Sequence, residues 1–117
     1  MFQVEFYESK DGKQPVVEFL DSLDPKMAAK LVGLMEILEE KGNTLREPYS
    51  APIDDGIFEL RCKLGSNITR ALYFFYIDQK IIITNGFVKK TQKTPTQEIQ
   101  LAKDRRKDWL SRYNNKR

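Results

Sequence analysis

The chain has 117 residues, an apolar share of 40% and a formal net charge of +3, with one cysteine and no histidine. That is the size of one domain, 1–117, able to fold without disulfides or metals. Cys62 has no partner for an internal disulfide, and one thiol without histidine argues against a zinc site, so neither a metal nor a cofactor is expected.

The opening MFQVEFYESK has no basic leader region and no long apolar core, and no apolar run is long enough to span a bilayer. The expectation is a soluble, cytoplasmic chain with no membrane partner. In FQVEFY, Phe2, Val4 and Phe6 alternate with Gln3, Glu5 and Tyr7, which predicts a half-buried strand. SKDGKQ breaks it. Pro15 suits the first position of a short helix whose stripe is Val16, Phe19, Leu20 and Leu23. A longer helix follows: Asp24 is a natural N-cap, Pro25 fits the first turn, and Met27, Leu31, Leu34, Met35 and Leu38 form the apolar stripe. Gly42 stands where a C-terminal cap is expected.

NTLREPYSAPIDDG reads as a loop. Three strands follow, over 57–64, 68–78 and 80–89, joined by links short enough for antiparallel hairpins. Thr94, Pro95 and Gln97 match a capping box for a last helix, with Ile99, Ala102, Trp109, Leu110 and Tyr113 able to share a face. The final NNKR reads as frayed. The predicted order is β-α-α-β-β-β-α. This is an α+β domain, a small and mostly antiparallel sheet with an N-terminal helical hairpin and a C-terminal helix.

Charge divides along the chain. Residues 1–60 carry 6 Lys+Arg against 13 Asp+Glu, and residues 61–117 carry 14 against 4. A basic second half suits a polyanion, or simply places acidic and basic surfaces apart. In IFELRCKL, alternation turns Phe58, Leu60, Cys62 and Leu64 to the core and Ile57, Glu59, Arg61 and Lys63 outward. Glu59 and Arg61 then share an exposed face. Arg70 lies inside an otherwise apolar strand, so it needs a partner, either Glu59 or a bound phosphate. Lys89, Lys90 and Lys93 gather where the last strand gives way to a helix N-terminus, which is unfavourable for folding alone and favourable for phosphate. A solubility role for these lysines stays open. Phe87 offers a stacking face for a base.

The run GIFELRCKLGSNITRALYFFYIDQKIIITNGFVKKTQKTPTQEIQLAKDRRKDW, together with the N-terminal FYESKDGKQPVVEFLDSL, resembles the phage-derived HigB-like toxins of the RelE/ParE superfamily. The resemblance implies the toxin half of a type II toxin–antitoxin pair. Such a toxin is a metal-independent endoribonuclease that cuts mRNA in the ribosomal A site. Its partner is expected to be a helix-turn-helix antitoxin, through which the complex binds operator DNA. Carried over by position, the ELR match falls on Glu59 and Arg61, the sheet arginine on Arg70, and the basic strand end on Lys89 and Lys90, with Lys93 just beyond. Lys63 and Phe87 join Lys93 as RNA contacts. The chain departs from some relatives in lacking histidine. RNA cleavage by 2′-OH attack needs a base, an acid and cations for the phosphorane. The arginines suit the last role, and Glu59 or a lysine crowded by other cations suits the proton transfers. Two other readings stay open: a ParE-like poison of DNA gyrase, and a plain RNA-binding module.

Overall fold

A computed structural model describes residues 1–90 and 93–115. The elements are β1 (Gln3–Phe6), α1 (Pro15–Ser22), α2 (Pro25–Lys41), a short 3-10 turn (Gly42–Thr44), β2 (Ser50–Asp54), β3 (Ile57–Leu64), β4 (Asn67–Tyr76), β5 (Lys80–Val88) and α3 (Thr96–Asn115). Of the residues read as frayed, 116–117 lie outside the described residues, as do Thr91 and Gln92 of the basic link. The sheet order is β1-β5-β4-β3-β2, with β1 parallel to β5 and every other pair antiparallel. The α+β class and the mostly antiparallel sheet are as expected.

The two N-terminal helices form where the sequence places them. Pro15 and Pro25 open them, and the Asp24 carboxylate accepts from Lys26 N at 3.2 Å. Met27, Leu31, Leu34, Met35 and Leu38 are all buried, packed against Leu60, Cys62, Ala71, Tyr73, Ile81 and Ile83. Leu31 and Leu38 are fully enclosed, each worth roughly 1.5–3 kcal/mol over an exposed position. Gly42 ends α2 at φ +54°, and a Cβ there would stand 2.0 Å from the Phe2 ring. Glycine is therefore required for both conformation and space.

Two expectations need correction. The loop before residue 57 contains an extra strand, β2, paired with β3 from Ser50–Leu60 to Asp54–Ile57 and irregular after Pro52. Proline survives because β2 is an edge strand, where a ladder donor is dispensable. The second correction concerns β3. Its supposedly outward row is largely covered, with Ile57 and Glu59 both 0% exposed. The reason is α3, which crosses that face and builds a second core from Ala102, Trp109, Ile57, Leu72, Phe74 and Ile82. The sheet is thus sandwiched between helices, and β4 is apolar on both sides because both sides are buried.

Candidate phosphate-binding face

Register aligns the basic residues. Arg61 on β3 lies opposite Arg70 on β4, which lies opposite Phe87 on β5. Lys63 faces Ile68 one step along, and Lys89 N donates to Ile68 O at 2.9 Å. A strand turns every second residue to one face. Glu59, Arg61, Lys63, Arg70 and Lys89 therefore share the side of the sheet on which α3 packs.

Glu59 is the anchor. One carboxylate oxygen accepts from Arg61 Nε at 3.1 Å and from Arg70 Nη1, and the other accepts from the Thr94 hydroxyl. The cross-strand ion pair expected for Arg70 is present, but in a buried setting rather than an exposed one. Arg61 is held from a second side by Glu47, at 3.1 Å from Nη1. Arg70 is buried, and its Nε has no hydrogen-bond partner among the described residues. Such a donor is costly to leave unmade.

Partial burial, and then the neighbouring Arg70 charge, push the Lys89 ammonium below the usual lysine range, with Glu59 pulling the other way. Lys90 and Lys93 are exposed on the chain between β5 and α3. Lys63 is exposed on the face itself. Phe87 is not a free stacking surface: the residue is 9% exposed and belongs to the core beneath α3. Helix α3 begins at Thr96, one residue later than the capping-box reading, which put Pro95 in its first position, and Thr94 bonds Glu59. Sequence reasoning also missed Glu47 and Asn85. Asn85 lies on the same face and binds Glu98 of α3 through its Nδ2, at 3.3 Å to the carbonyl and 3.0 Å to the carboxylate. Among the described residues, no three acidic, thiol or imidazole groups converge as a metal site would need, and no helix is long and apolar enough to cross a membrane.

The fold and this face define a small α+β protein carrying a rigid guanidinium pair, locked by one buried carboxylate, beside the start of its last helix. The chain belongs to the family of phage-derived Gp49-like proteins (DUF891), whose profile matches residues 18–107. It is 33% identical over 110 residues to the probable endoribonuclease HigB1 of two Mycobacterium tuberculosis strains, covering 94% of this chain and 86% of each relative. Its fold is also that of a chain in the archaeal RelE–RelB complex from Pyrococcus horikoshii OT3, with a TM-score of 0.51 and 23% identity over 80% of this chain and 98% of that one. The HigB- and RelE-like resemblance read from the sequence is borne out.

Proposed function

We propose that this chain is the toxin of a type II toxin–antitoxin pair, an endoribonuclease that cuts mRNA in the ribosomal A site and is neutralised by a helix-turn-helix antitoxin. The observation that carries the reading is the convergence of Arg61, Arg70 and Lys89 on one face, with the two arginines held by Glu59. The HigB1 relatives support the choice of RNA.

In this reading the 2′-OH attacks the adjacent phosphorus, the P–O5′ bond breaks, and a cyclic phosphate and a 5′-OH result. Charge builds on the non-bridging oxygens. Two planar guanidinium groups match those oxygens and stabilise that charge as it forms. The 2′-OH gives up a proton and the departing 5′-oxygen gains one; Lys89 serves one of these transfers and water the other. Glu59, wholly enclosed and accepting from three donors, is a positioning residue rather than the base. Its part is to hold both arginines in one orientation, since a small misplacement of such groups costs rate steeply. Lys63, Lys90 and Lys93 lie along the RNA path as phosphate contacts. No metal enters the scheme, because the developing charge is met by side chains.

The test is induction in growing cells with primer extension across abundant transcripts, comparing the native chain with Arg61→Ala and Arg70→Ala. Arg61 is partly exposed, so its variant folds even where loss of Arg70 unsettles the core. The expected outcome is discrete cuts and growth arrest for the native chain, both lost in a folded Arg61→Ala. Arrest with DNA damage and no cuts would point to a gyrase poison instead and refute the reading.

A further inference from the structure

Beyond the arginine pair the sheet has an open end. Strand β2 leaves β3 at the Ser50–Leu60 pair, while β3 continues to Leu64. Among the described residues, Cys62–Leu64 therefore have β4 on one side and no strand on the other. A groove of about 630 Å³ runs over this end of β3. It is lined by Cys62, which faces α2, and also by Arg61 and Lys63, which face the other way, so it connects the two sides of the sheet.

One wall is α2, through Lys30, Gly33, Leu34 and Ile37, and another is Pro48 with Tyr49. Tyr49 and Ile37 are among the large apolar side chains left exposed. Four cations line the groove, Lys30, Lys63, Arg61 and Arg70, and no carboxylate does so. Lys30 Nζ donates to Lys63 O, which holds the Lys30 ammonium at the open end of β3. The unmatched Arg70 donor belongs to a residue that lines the same groove. Gly33 adds a separate observation. Glycine is a poor choice inside a helix, and nothing in the packing asks for it here, because a Cβ at this position meets no atom within 4 Å. Its effect is to keep the wall of the groove low.

We propose that this groove receives the nucleotide beside the scissile phosphate, with its base on the apolar wall at Tyr49 and Ile37 and its phosphate toward Lys30 and Lys63. The proposal rests on the endoribonuclease reading and extends it to substrate selection. An acidic protein segment would also meet the charges. RNA is favoured because the groove is continuous with the arginine pair, so a strand gripped there has this cationic channel beside it. An exposed aromatic ring with cations around it is also the usual platform for a single-stranded base.

The test uses the full chain, Gly33→Leu and Tyr49→Ala. Gly33→Leu puts a bulky side chain on the groove wall from a position where its Cβ meets no atom within 4 Å, and Tyr49→Ala removes the platform while leaving the backbone in place. Both are first checked for an unchanged or raised melting temperature. A short fluorescein-labelled single-stranded RNA containing 5-bromouridine is the probe. The expected result is photo-crosslinking at Tyr49 in the native chain and binding weaker by about tenfold in both variants, near the lower end of what one stacked base contributes. Primer extension then shows altered base preference next to the cuts. If the native chain cuts RNA but both variants bind and cut as it does, the groove assignment falls and the nuclease reading stands. If the native chain makes no cuts, the nuclease reading falls first and the groove assignment with it. Variants that cut normally but escape a co-expressed antitoxin would assign the groove to a protein and overturn the proposal.

Discussion

Replacing Glu59 with alanine leaves Arg70, whose side chain is only 9% exposed, with its charge enclosed and its main partner gone. Breaking a buried pair on one side costs about 3–5 kcal/mol, whereas removing both members costs far less. A domain of this size holds roughly 6–18 kcal/mol in all, so the single change consumes a large share. Equilibrium unfolding in urea, followed by the fluorescence of Trp109 in the second core, gives the readout. With a slope of about 1.5 kcal/mol per molar, the midpoint for Glu59→Ala falls by about 2–3 M. Adding Arg70→Met to Glu59→Ala recovers part of the loss, and the cycle returns a coupling of about 2 kcal/mol or more. Strictly additive effects, or a loss under about 1 kcal/mol for Glu59→Ala, would show that this carboxylate does not hold the arginine.

Lys89→Met tests the perturbed lysine from the stability side. The folded state disfavours the ammonium, so the native lysine is a liability at neutral pH that disappears as pH rises through its folded value toward the ordinary lysine range. The variant therefore unfolds at higher urea at pH 7, and the gap closes in alkaline buffer; a gap that widens with pH contradicts the assignment. Gly42→Ala forces a methyl onto the Phe2 ring at positive φ and costs about 2–4 kcal/mol by thermal or urea unfolding. Gly33→Ala goes the other way, gaining about 0.5–1 kcal/mol in the same assay, because the helix improves and nothing is crowded. Arg70→Lys keeps the charge but loses the planar fork, so cuts mapped by primer extension weaken at least tenfold while the fold, followed by circular dichroism, persists.

The N-terminal half was legible because its signals are local. Two prolines and an aspartate mark the helix starts, and the stripe from Met27 to Leu38 repeats at helical spacing, so both position and facing could be read. The β3 strand shows where local reading stops. Alternation separates Phe58 and Leu60 from Ile57 and Glu59, but it does not say that a helix forty residues later will cover the second set. Glu59 was therefore found and its neighbours named, while its burial was missed. Phe87 failed for the same reason: an aromatic ring beside lysines suits either a base or a core, and Ala102 and Trp109 of the last helix decide for the core. Strand β2 was hidden by Pro52, whose usual message is a break and whose place on an edge makes it harmless. Thr94 carried a capping signal and a tertiary bond at once, and the bond to Glu59 won.

The Thr94–Glu59 bond joins the beginning of the C-terminal helix to the middle of the sheet, and Trp109 closes the same face from farther along the chain. Both arginines leave the ribosome well before either of these residues. A nascent polypeptide thus carries its guanidinium pair early but completes the clamp around it last. Synthesis stopped ahead of Thr94 leaves Glu59 without that bond and the sheet face that Ala102 and Trp109 cover without its helix.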